Sequence, residues 1–150
     1  MTEHDEQCAL VRWANSQAWK YPALENLFAI PNGGKRKNGW WEKAEGLKAG
    51  VPDLFLAVPK WSSLGNEYLF HGLFIEMKFG KNKSSSNQFD WQGRLVMQGY
   101  QVEVCYSFEE AQRVVLEYLK EEDCYNGKER RVDDKPRWNV PWDETYERRK

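Results

Sequence analysis

The chain has 150 residues, and its 22 Lys+Arg against 23 Asp+Glu leave a formal net charge of −1. That length suits one domain with a sizeable core, and 41% hydrophobic with 30% charged residues excludes global disorder. No apolar run approaches the roughly 18 residues of a membrane span, the acidic start Met1-Thr2-Glu3-His4-Asp5-Glu6 is unlike a secretion signal, and near-neutrality taken alone argues against a nucleic-acid partner. Three widely spaced cysteines (Cys8, Cys105 and Cys124) fit free thiols in a reducing, cytoplasmic compartment rather than a disulfide framework or a zinc site. With only His4 and His71, a His-rich metal centre is excluded, so any metal is expected to be a hard cation held by carboxylates.

In chain order, residues 5–20 read as a helix, with Leu10, Trp13, Ala14 and Ala18 at helical spacing and Thr2 or Asp5 as cap. Leu27 to Ile30 reads as a strand closed by Pro31, followed by a glycine-rich, cationic loop over 32–39. A helix over 41–49 ends at Gly50, and a strand over 53–58 begins right after Pro52. Residues 59–67 form a turn-rich connection to one further strand spanning Leu69-Phe70 and 72–79. A polar Lys/Ser loop over 80–87 leads to a helix over 88–98, which Gly99 caps. A strand over 100–106 follows, then an amphipathic helix over 108–120 with Phe108, Ala111, Val114, Val115, Tyr118 and Leu119 inward. The order predicts an α/β domain over 1–120, a mixed central sheet flanked by helices (α-β-β-β-α-β-α). Residues 121–150 form a charged extension carrying Tyr125, Trp138, Trp142 and Tyr146.

The informative constellation is Asp53, Glu76 and Lys78. Side chains two apart on a strand share a face, so Glu76 and Lys78 point one way with Phe74, and Ile75, Met77 and Phe79 the other. A strand that is apolar on both sides apart from one Glu and one Lys reads as central and covered, where a charge is costly unless paired or functional. If the two strands are neighbours, Asp53 stands beside Glu76, and two close carboxylates repel unless a cation lies between them. That donor pair suits Mg²⁺ or Mn²⁺, and Lys78 is placed to steady charge on a phosphorane or to orient an attacking water. The bland alternatives are a solvated Glu-x-Lys face and a turn aspartate after proline. Glu6 lies on the inward stripe of the first helix and is a third candidate carboxylate, with Glu3 as the neighbour able to replace it; its bland alternative is an acid favoured by the helix dipole. Gln88 opens the helix after the Lys/Ser loop and is placed to orient Glu76, or is a plain first-turn polar residue.

These residues resemble a known family. Pro52-Asp53 with Glu76-Met77-Lys78 matches the PD-(D/E)XK nuclease signature. Glu6-Gln7, Ile30-Pro31-Asn32-Gly33-Gly34-Lys35-Arg36, Leu47 to Leu54, Ser85-x-x-Gln88-x-x-Trp91 and Gly99-Tyr100-x-Val102-x-Val104 narrow it. The succession is similar to the virus-type replication-repair nuclease (VRR-NUC) domain in its short stand-alone phage and bacterial form. The resemblance covers about residues 6–119. It implies a restriction-endonuclease-like core in which Asp53 and Glu76 hold the metal, Lys78 is the catalytic lysine, Glu6 assists the metal site and Gln88 completes it. It also implies a homodimer that cuts branched DNA, Holliday junctions in particular, in DNA repair within a bacterial host or a phage-infected cell.

Charge is segregated along the chain. Residues 32–94 hold ten Lys/Arg and six Asp/Glu, a local +4, while residues 1–31 carry −2 and residues 95–150 carry −3. Lys35, Arg36, Lys37 and Lys48 before the first carboxylate, and Lys81 and Lys83 after the second, are candidate phosphate contacts. Trp40 and Trp41 are either wedges at a junction or packing residues. The leading expectation is a Mg²⁺- or Mn²⁺-dependent, structure-selective endodeoxyribonuclease. The alternatives are a flap, fork or restriction-type endonuclease, or an inactive DNA-binding module of the same fold.

Overall fold

A computed structural model describes residues 2–31, 46–61 and 68–120. The expected loop over 32–39, most of the helix expected over 41–49, Trp40, Trp41, Cys124 and the extension over 121–150 lie outside the described residues. Along the chain come α1 (Glu3–Gln17), a 3₁₀ turn (Pro22–Asn26), β1 (Leu27–Ala29), β2 (Leu54–Leu56), β3 (Lys60–Trp61), β4 (Tyr68–Phe70), β5 (Leu73–Met77), α2 (Ser86–Met97), β6 (Gln101–Cys105) and α3 (Phe108–Tyr118).

Four strands make the central sheet in the order β1-β2-β5-β6. The β1/β2 and β2/β5 pairs are antiparallel, and β5/β6 is parallel. The mixed sheet with flanking helices is therefore as the sequence predicts. A parallel neighbour needs a crossover, and α2 supplies it. β5 is an inner strand, and Gly72 to Lys78 are all buried, which explains its nearly unbroken apolar run.

One expectation needs correcting: the apolar run over 69–79 is not one strand. β4 pairs with β3 in a separate two-stranded sheet, and β5 joins the main one. The break falls at Gly72, where a Cβ would lie 2.6 Å from the Phe55 ring. The cross-strand Phe55–Phe74 stack, with centroids 4.3 Å apart, occupies that space.

Alternation along β2 and β5 divides the sheet into two faces. Leu54, Leu56, Leu73, Ile75 and Met77 belong to the core cluster, together with Leu10 and Ala14 of α1 and Ala111, Val115 and Tyr118 of α3. Each fully buried aliphatic contributes roughly 1.5–3 kcal/mol. Phe55 and Phe74 belong to the other face, which also carries the residues of interest. The helix ends are specified locally. Thr2 caps α1 in a capping box with Asp5, Ser85 does the same for α2 with Gln88, and the Ser107 hydroxyl accepts from Glu110 N at the start of α3. Gly99 ends α2 at φ +81°, and a Cβ there would meet the His71 ring at 2.9 Å. Among the described residues no helix is long and apolar enough to cross a membrane.

Candidate active site

The β2/β5 ladder places the first carboxylate. Leu54 pairs with Ile75, so one step further along the register Asp53 stands opposite Glu76. Two backbone groups pin Asp53. Its Oδ2 accepts from Met77 N at 2.9 Å, and its carbonyl accepts from Ile30 N at 2.8 Å. The approach of α2 to this point depends on Gly50, whose φ is +90°. A Cβ there would lie 2.8 Å from the carbonyl carbon and oxygen of Asn87, so glycine is required both by conformation and by space.

Glu76 and Lys78 share a face, as the i, i+2 rule requires. Both are buried, at 0% and 5% exposure, and Lys78 Nζ donates to Glu76 Oε1 at 2.7 Å. Lys78 is held from behind by its backbone N–H, which donates to Cys105 O at 2.8 Å. Gln88 Nε2 also donates to Glu76 Oε1. The other end of that amide is fixed too: Oε1 accepts from Ser85 N at 2.9 Å, and Gln88 N donates to Ser85 Oγ at 3.3 Å. Gln88 is thus both a capping-box residue and a partner of Glu76.

Glu76 Oε2, in contrast, is buried and has no hydrogen-bond partner. Burial pushes the Glu76 carboxyl up to about 7. The Lys78 bond opposes this, and Asp53 and then Glu3 add to it by charge. For Lys78 burial pulls downward, but the bond to Glu76 and the negative charge of Glu76, Glu3 and Asp53 outweigh it, so its ammonium is favoured beyond the ordinary range. An orphaned carboxylate oxygen on a residue opposite a second acidic residue fits a hard divalent cation, which binds one or two carboxylates and completes its shell with water or phosphate oxygens. Asp53 and Glu76 are the residues that would hold it. Among the described residues no group of three His, Cys, Asp or Glu side chains forms a fuller cage.

Glu6 is buried, and its Oε2 accepts from Phe108 N at 2.7 Å, closing the N-terminus of α3. The helix-one carboxylate whose charge acts on Glu76 and Lys78 is Glu3. On a helix wheel Glu3 and Glu6 lie only about 60° apart, so spacing could not separate them. Lys48, Lys81 and Lys83 are exposed, with Lys48 Nζ 5.9 Å from the Trp91 ring centroid. Lys35, Arg36 and Lys37 lie outside the described residues.

The VRR-NUC domain profile matches residues 2–109, a span that takes in every strand of the sheet, α1, α2 and the start of α3. Among solved structures, one described as a VRR_NUC domain protein superposes with a TM-score of 0.65 at 25% sequence identity, over 79% of this chain and 88% of that one. Comparison with curated proteins gives no match. With Asp53, Glu76, Lys78 and Gln88 gathered at one end of a mixed sheet and the profile spanning well over half of the chain, the chain belongs to the VRR-NUC family and carries a nuclease domain.

Proposed function

We propose that the protein is a Mg²⁺- or Mn²⁺-dependent endodeoxyribonuclease that acts on branched DNA, four-way junctions foremost, as a homodimer. The observation that carries the chemistry is the buried, unpartnered Oε2 of Glu76, the residue opposite Asp53 in the ladder, with Lys78 and Gln88 fixed on the other Glu76 oxygen.

A divalent cation held by Asp53 and Glu76 would supply Lewis acidity toward a phosphate oxygen and a water. The chain's own groups do the rest. The Asp53 carboxylate is held by Met77 N and its main chain by Ile30 N, which limits how far the second carboxylate can swing when a phosphate arrives. Gln88 and Lys78 both hold Oε1 of Glu76, which leaves Oε2 presented to the site. The upward shift of Lys78 favours a fixed ammonium over a general base, so its work is to offset negative charge growing on the phosphorus centre. Losing one such electrostatic contact costs on the order of 10²–10³ in rate.

The test uses labelled four-way, forked and linear DNA with Mg²⁺, Mn²⁺ or EDTA. Cleavage is expected only with metal, is greatest on the four-way junction, and falls by about 10²–10³ in Lys78→Ala and at least as far in Asp53→Ala. Cutting in EDTA, or undiminished cutting by either variant, overturns the mechanism. Equal cutting of linear duplex overturns the junction preference and leaves a flap, fork or restriction-type nuclease as the reading.

A further inference from the structure

Trp91 stands one helical turn beyond Gln88 on α2, and two cations rest against it. Lys48 Nζ lies 5.9 Å from the indole centroid, and Arg94 Cζ lies 4.7 Å from it. Lys48 reaches it from the segment that runs through Gly50 to Asp53, and Arg94 from the next turn of α2. The indole is half-buried and both cations are exposed.

The choice of partner matters. A carboxylate would orient a Lys or Arg and also cancel its charge. An aromatic face orients the cation through its quadrupole and leaves the charge in place. Among the described residues neither Lys48 nor Arg94 has an ion pair. Arg94 uses a single donor internally, Nε to Asp90 O at 3.4 Å, so both outward nitrogens of its guanidinium fork stay available. Lys48 has no hydrogen bond among the described residues.

The elements that carry these cations also carry the site. Lys48 is five residues from Asp53, and Gly50 between them is packed on Asn87. Arg94 is on the helix whose first turn holds Glu76 through Gln88. We propose that Lys48, Trp91 and Arg94 form a phosphate cradle for the DNA strand flanking the cut. Lys48 and Arg94 contact backbone phosphates, and Trp91 is the positioning shelf that holds them at fixed spacing. This rests on the nuclease reading for the identity of the strand. It adds Arg94 and Trp91 as binding determinants and predicts that the cradle reads backbone rather than base sequence.

The experiment measures binding of a labelled four-way junction by fluorescence anisotropy in EDTA across a salt series, and single-turnover cleavage with Mg²⁺ at saturating DNA. Each phosphate contact removed lowers the slope of log K against log salt by about 0.9. Lys48→Gln and Arg94→Gln are each expected to lower it by about that much, and the double variant by about twice that, with the loss falling on Kd rather than on the saturating rate. Trp91→Leu is expected to weaken binding about as much as a single cation variant, with Trp91→Phe restoring it. A double variant with an unchanged slope, or a loss confined to the saturating rate, overturns the cradle. The two readings fail separately. Wild-type binding and slope loss without cutting in any metal sinks the nuclease assignment and leaves the cradle standing. Normal cutting and binding by the double variant sinks the cradle alone, and no DNA binding by the wild type sinks both.

Discussion

Glu76 is the residue on which the site turns, and its protonation has a readable consequence for stability. Its carboxyl is pushed up to about 7 by burial, from an ordinary value of 4.5, and the charges of Asp53 and Glu3 assist. A folded value above the unfolded one means that the folded state holds the proton longer. The Glu76 contribution is then fully present below pH 4.5 and is lost as pH rises through about 7. Lys78 is also raised, from 10.5, so its contribution stays constant across that window. A divalent cation competes with the Glu76 proton, and a ligand that binds only the folded state stabilises it by mass action. Thermal melts from pH 5 to pH 8 should therefore show wild type losing stability relative to Glu76→Gln in EDTA. The increment added by Mg²⁺ should grow with pH and level off above about 7. An increment that is flat over this range, or that shrinks with pH, would falsify the assignment of Glu76 as a metal ligand.

At the scale of elements, α1 and α3 are joined by a partly buried hydrogen bond, Glu6 Oε2 from Phe108 N, beside the edge-on contact of Trp13 and Phe108 at 6.5 Å. A buried N–H stripped of its acceptor costs about 1–3 kcal/mol. Glu6→Ala should lower unfolding free energy by that amount in urea, with Mg²⁺ affinity intact under folding conditions. Glu3→Gln should do the reverse, leaving stability within about 0.5 kcal/mol and weakening Mg²⁺ binding. Isothermal titration together with denaturation separates the two, and Glu6→Ala losing metal while keeping stability would return the metal role to Glu6. The pair also shows what was legible in the sequence. Asp53, Glu76, Lys78 and Gln88 were readable because alternation along a strand and a capping-box spacing are local rules, and the structure brings those four together. The bond from Phe108 N to Glu6, across 102 positions, was not readable, because no local spacing encodes a tertiary contact. The split of β4 from β5 was hidden for a similar reason. The apolar pattern runs through it, and only the Phe55 ring above Gly72 shows why the chain changes sheet there. Arg94 and Trp91 carried a weak local signal, an i, i+3 pair on α2, but Lys48 had to be folded back to complete it.

At the scale of the whole molecule, a net charge of −1 conceals a +4 central segment between acidic flanks of −2 and −3. Two of the six acids in that segment are Asp53 and Glu76, whose charge a divalent cation would offset. Near-neutrality is thus compatible with a cationic segment around an anionic centre. On the proposed reading, a chain of 17.8 kDa with one such centre would make one cut at a time. Resolving a four-way junction takes two symmetric cuts, and a two-fold dimer presents two identical centres to a substrate of the same symmetry. If the homodimer reading is correct, sedimentation at micromolar concentration should give twice the chain mass, and the consequence extends to mixtures. Wild type co-refolded with an excess of Lys78→Ala would place most active chains beside an inactive partner. Such a mixture should nick one strand and accumulate nicked junction, with little conversion to resolved duplex. A monomeric enzyme acting twice would instead give resolved products in proportion to the wild-type chains added. Resolution that merely slows with dilution, without accumulation of the nicked species, would remove the dimer from the proposal while leaving the chemistry of Asp53, Glu76 and Lys78 untouched.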